Sequence, residues 1–167
     1  ASTKFNSGEL EEINKSLIEL KDLLWHVSND RVQTAAAVEN LANGQTSASS
    51  VEAFTSIQQV LSGIDRLEVR GRDSAGLHLM IQNHGLDLND PSIRSLIEQR
   101  SNDLNYCSGS IREADGVLSF VYKVASEIGE LGENTLALRR AITDDELLHQ
   151  ALEGETVSAV GIGHSRW

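Results

Sequence analysis

LEVRGRDSAGLHLMI, residues 67–81, is where the sequence changes period, and its reading decides the fold. Upstream, Val51, Phe54, Ile57, Val60, Leu61, Ile64 and Leu67 recur at helical spacing, and Ser49 with Glu52 has the spacing of a capping box. That helix is expected to end near Arg70 and Gly71. From Ala75 the apolar residues alternate instead, through Leu77, Leu79 and Ile81, as in a strand within a sheet.

Working outward, Leu10, Ile13, Leu17, Leu20, Leu24 and Val27 lay one apolar stripe along a helix from about Gly8 to Ser28, started by Asn6 and Glu9. A weaker helix over Asp30–Leu41 is expected to fold back on it as a hairpin. The small polar run Asn43–Ser50 reads as a link. Downstream, Asp90 and Pro91 start another helix. Ile93, Leu96, Ile97, Leu104, Ile111, Val117, Leu118, Val121, Val124 and Ile128 then predict helix to about Leu131, broken near Cys107 to Ser110. Gly129, Gly132 and Asn134 weaken helix, and Thr143 with Glu146 forms a second capping-box spacing before Leu147, Leu148 and Leu152. Thr156–Ile162 is β-branched and alternating, and is expected to pair with the strand around Leu77. The fold class read from this pattern is α+β, helix-rich.

Composition bounds the function. With 167 residues, the chain suffices for one core, and 40% hydrophobic with 23% charged residues excludes wholesale disorder. A net charge of −11 opposes binding to nucleic acid or anionic lipid. No apolar run of membrane-spanning length and no secretory leader is seen, and a single cysteine allows no internal disulfide, so a cytoplasmic setting is expected. The five histidines are scattered without ligand spacing, so no metal and no cofactor is expected. Asp144, Asp145 and Glu146 read as acidic residues at a helix start rather than an acid/base pair. Cys107 reads as a thiol within a helical region, not as a nucleophile. Arg70 and Gly71, taken alone, read as a helix C-terminus with a positive-φ glycine.

The segment LEVRGRDSAG, residues 67–76, resembles LEYRGYDSAG of the glucosamine-6-phosphate synthases, and GIGHSRW, residues 161–167, resembles that family's next landmark, GIAHTRW. The resemblance covers about Val51–Gly76 and Val157–Trp167. It implies a class II glutamine amidotransferase with an N-terminal nucleophile fold of two stacked antiparallel sheets between helices. In such enzymes an N-terminal cysteine attacks the glutamine side-chain amide, releasing ammonia, which a separate isomerase domain uses to convert fructose 6-phosphate to glucosamine 6-phosphate. By the same resemblance, Arg166 grips the α-carboxylate of L-glutamine, Trp167 covers the site, and Arg70 and Gly71 lie beside the nucleophile. A homodimer is a further expectation.

The departures carry equal weight. The chain begins ASTKFNSGEL, without the family's Cys-Gly-Ile strand, and ends before the following histidine and glycine and before the Asn-Gly oxyanion donors. It is therefore expected to be a fragment that is inactive alone. The expected division is a helical insertion over 1–48, core helix and strand over 49–83, a second helical insertion over 84–154, and a core strand over 155–167. The competing expectation is a non-catalytic helical interaction or regulatory module on an amidotransferase-like core.

Overall fold

The computed structural model describes residues 6–71, 73–101, 107–125 and 130–165, apart from the side chain of Arg70. The chain divides into two compact units, residues 1–37 and 38–167, so the boundary lies inside the expected first insertion.

In the first unit, helix α1 (Ser7–Trp25) starts on a complete capping box. Asn6 Oδ1 accepts from the Glu9 amide at 2.9 Å, and Glu9 Oε2 accepts from the Asn6 amide at 2.8 Å. A hairpin does not follow. The backbone stays right-handed through a π-helical stretch, His26–Arg31, into helix α2 (Val32–Ala42). Between Trp25 and Val32 there is neither glycine nor proline to reverse the chain. The ladder widens by a residue instead, and the Val32 amide bonds the Val27 carbonyl. No residue of α1 is buried, and the stripe from Leu10 to Val27 is 42–62% exposed. The stripe is thus apolar but uncovered.

The second unit is built on helix α3 (Ala48–Leu67). Its cap is Ser47, whose Oγ accepts from the Ser50 amide at 3.1 Å, rather than Ser49, whose hydroxyl donates to the Gly154 carbonyl. Phe54, Ile57, Leu61 and Ile64 are buried as their spacing predicts, whereas Val51 and Leu67 at the two ends stay exposed. A 3-10 turn, Glu68–Arg70, closes the helix. Gly71 then has φ −174°, extended backbone open to any residue, so the expected positive φ is not found. Strand β1 (Ser74–Gln82) follows.

Residues 84–154 are not a helical insertion. Helix α4 (Pro91–Ser101) begins at the proline, but Ser110–Ala114 and Val117–Ala125 are strands β2 and β3 of a hairpin. Asp115 (φ 52°) and Gly116 (φ 74°) supply the two left-handed positions of its tight turn. The misreading has a definite source. Val117, Leu118, Val121 and Val124 fit a helical face, but strand alternation buries Leu118, Phe120 and Tyr122 together. Helix α5 (Glu133–Thr143) and helix α6 (Glu146–Ala151) then lead to strand β4 (Ser158–His164). The cap of α6 is Asp145, accepting from the Leu148 amide, not Thr143.

All pairings in the sheet are antiparallel, in the order β2-β3-β1-β4. The expected pairing of β4 with β1 is present, but β3 lies on the other side of β1, making the sheet larger than the sequence implied. Leu77, Leu79 and Ile81 share a face with Tyr122, Phe120 and Leu118 across β3 and with Gly163, Gly161 and Ala159 across β4. The fold is α+β and helix-rich; the described residues contain this one sheet. Among them, no helix is long and apolar enough to cross a membrane.

The glycines of β4 set how closely α3 approaches. A Cβ at Gly163 would lie 2.7 Å from Ile64 Cδ1 and 2.9 Å from Val60 Cγ1. Gly163→Ala is therefore expected to cost about 1–2 kcal/mol by overpacking, read as a lower urea midpoint with unchanged slope.

Candidate functional site

The two signature segments meet in the sheet. In the β1–β4 register Gly76 stands opposite His164, and a Cβ on Gly76 would lie 2.3 Å from His164 Nε2. The His164 imidazole thus lies over a backbone position that only glycine leaves open. Because the strands are antiparallel, the start of β1 and the end of β4 lie at the same end of the sheet. His78 shares this side of β1 with Gly76, and its Nε2 is buried with no hydrogen-bond partner among the described residues.

Arg70 is the last residue of the 3-10 turn and Gly71 its extended cap, which places both directly before β1. Arg166 and Trp167, the expected glutamine-binding residues, lie outside the described residues. Within the first signature, Glu68 has a clear structural task. It is 1% exposed, and its carboxylate accepts from the Gly132 amide and, at 3.3 Å, from the Asn134 amide, at the N-terminus of α5. Gly132 at the cap position has φ 93° and no side chain of its own to bond these amides, so an anion from α3's end satisfies them. Glu68→Ala is expected to lower stability by about 2 kcal/mol, with loss of hydrogen-exchange protection first in α5; protection lost uniformly would contradict this capping role.

A second polar cluster had no signal in the sequence. Arg100 on α4 forms a bidentate pair with Asp145, at 2.9 Å from Nη1 to Oδ1 and 2.6 Å from Nη2 to Oδ2. Tyr122 on β3 donates to Asp145 Oδ2 at 2.7 Å, and Arg100 Nε donates to the Gly109 carbonyl at 2.6 Å. The guanidinium also lies 5.6 Å from the Phe120 ring centroid. Burial pushes the Asp145 carboxyl up, but hydrogen bonds from Arg100 and Tyr122 and the charge of Arg100 outweigh it, leaving the pKa below the usual value. Burial, then the Asp145 charge, holds the Tyr122 phenol well above its ordinary range. These groups border a hollow of about 560 Å³ but spend their hydrogen bonds on one another. Their arrangement fastens α4, β3 and α6 together.

His149 on α6 stacks at a tilt on Phe54, ring centroids 5.3 Å apart, and burial holds its pKa below 6.5. Its Nε2 and Gln45 Oε1 are buried with no hydrogen-bond partner among the described residues, while Gln45 Nε2 donates to the His149 carbonyl at 2.8 Å. Cys107 is exposed, in no disulfide, and stands just before β2 rather than within a helix. Its carbonyl accepts from the Ser110 hydroxyl at 2.7 Å. No group of three or more His, Cys, Asp or Glu suited to a metal occurs among the described residues.

Comparison of the chain with family models, with curated proteins and with solved structures found no match.

Proposed function

We propose that this chain is part of a glutamine-dependent amidotransferase resembling the glutaminase portion of glucosamine-6-phosphate synthase. The observation that supports the reading is the pairing of β1 with β4, which sets Gly76 of LEVRGRDSAG against His164 of GIGHSRW. Two segments separated by about half the chain thus stand at one end of the sheet, as a shared pocket would require. In this reading Arg166 holds the α-carboxylate of L-glutamine through its planar fork of donors, and Trp167 covers the site. Arg70 and Gly71 shape the wall beside the nucleophile.

In this reading the nucleophile lies elsewhere in the parent, since Cys107 has neither an N-terminal amine nor a place in either matched segment. A cysteine thiolate supplied elsewhere in the parent would attack the side-chain amide, expel ammonia and leave a glutamyl thioester for water to cleave. The ammonia acceptor in this reading is fructose 6-phosphate, bound by a separate isomerase domain. A second reading, a non-catalytic interaction module, draws on the exposed stripe of α1.

The test uses the intact parent. Glutamine-dependent ammonia release that is abolished when its first cysteine becomes alanine, and whose KM for glutamine rises in Arg166→Ala, is the expected result. No ammonia release from the intact parent would favour the interaction module. Glutaminase activity of the 167-residue chain alone would overturn the assignment of the nucleophile to another part of the parent.

A further inference from the structure

The stripe repeats every seven residues: on α1, Leu10, Leu17 and Leu24 occupy one heptad position (a) and Ile13 and Leu20 the other (d), which Val27 continues into the π-helical stretch. A helix packed on a globular core shows a similar spacing, so it is the exposure of the stripe that calls for a partner. A strict 3.5-residue alternation keeps a seam in line with another helix. All six side chains are 42–62% exposed. We propose that this face joins copies of the same chain, α1 packing in parallel with its equivalents into a bundle of more than two helices.

Three observations select that occupant. First, charge disfavours a membrane: residues 7–31 carry six acidic side chains against three basic, whereas an interfacial helix draws on Lys and Arg to meet anionic lipid. Second, charge sets direction. In a parallel alignment Glu9 faces Asn14 and Ser16 faces Lys21 of the neighbouring copy, with no like charges opposed. An antiparallel alignment that sets Leu10 against Val27 brings Glu9 beside Asp30. Third, leucine at every a position, where two-stranded coils favour β-branched residues, together with Ile13 at d, favours more than two strands.

Area points the same way. From Leu10 to Val27 the seam is about 26 Å long at 1.5 Å per residue. A single pairing along it offers a few hundred Å², below the roughly 800 Å² per partner of a stable interface. A helix flanked by two neighbours covers about twice as much, and Leu23, 62% exposed beside the seam, extends the contact. The inference does not depend on the amidotransferase reading.

Light scattering on the eluting 167-residue chain tests it. The expected mass is at least three times 18.2 kDa, falling to that of the monomer in Leu17→Glu/Leu24→Glu. The urea unfolding of residues 38–167, followed through the amide hydrogen exchange of β1 and β3, should be unchanged in that variant, which separates lost association from lost folding. In a Cys107→Ser background, Ile13→Cys should form disulfide-linked pairs, because only a parallel alignment sets Ile13 against itself. A monomer or dimer, an oligomer that survives both glutamates, or a monomer that sediments with phosphatidylserine vesicles would each overturn the proposal.

Discussion

Asp145→Asn is expected to destabilise the second unit by about 3 kcal/mol, the lower end of the range for breaking a buried ion pair. The lower end applies because the Arg100 side chain keeps 26% of its exposure while that of Asp145 keeps 7%. Asparagine is as good a helix cap as aspartate, so the bond from the Leu148 amide can persist. What disappears is the charge that neutralises Arg100 and accepts from Tyr122. Denaturant unfolding followed by circular dichroism checks the magnitude. Adding Arg100→Met removes the stranded cation, so the double variant should be more stable than Asp145→Asn alone. If it is not, hydrogen bonding rather than charge carries the loss.

The same cluster fixes a pH dependence. Asp145 has a folded pKa below its ordinary 3.8, so its contribution is fully present above that value and is lost as pH falls through the folded pKa. Tyr122 has a folded pKa above 10.0, so its contribution is present below pH 10.0 and is lost as pH rises through the folded value. The difference between wild type and Asp145→Asn should therefore shrink at strongly acidic pH, and again at strongly alkaline pH, where Tyr122 ionises beside the Asp145 charge.

Local chemistry explains which parts of this fold were legible. The starts of α1 and α4 were visible because Asn6 and Asp90-Pro91 act within a turn of themselves, and β1 because its apolar residues alternate. The hairpin was misread because 117, 118, 121 and 124 satisfy a helical face while 118, 120 and 122 satisfy a strand. Phe120 and Tyr122, which resolve the ambiguity, fall off the helical face, and Asp115-Gly116 carries the turn. Arg100 and Asp145 are 45 residues apart, and no local pattern joins them. The stripe of α1 marks another limit: periodicity tells which face is apolar, not what covers it. At the candidate site, the sequence named Arg70, Gly71, Arg166 and Trp167 through resemblance. The sheet register adds Gly76 and His164, which lie in the same two segments but gain meaning only when β1 and β4 pair.

Phe54→Ala should have the largest effect of all, about 3–5 kcal/mol, because it removes a fully buried ring from the middle of α3. Its second consequence is specific to the neighbour it covers. The His149 pKa is held down mainly by burial, and Phe54 supplies one of the surfaces that exclude water from the imidazole. A histidine with a depressed folded pKa contributes stability above its unfolded pKa of 6.5 and loses it as pH falls through the folded value. Opening a cavity beside the ring should admit water and raise the pKa toward 6.5, so the variant should lose less additional stability on acidification than the wild type does. Proton NMR titration of His149 follows this directly, and Phe54→Leu, which keeps most of the packing, gives a folded intermediate case if alanine unfolds the domain. A depressed His149 pKa unchanged in a folded Phe54 variant would mean that burial by the other residues packed around α6, rather than by the Phe54 ring, keeps this imidazole neutral.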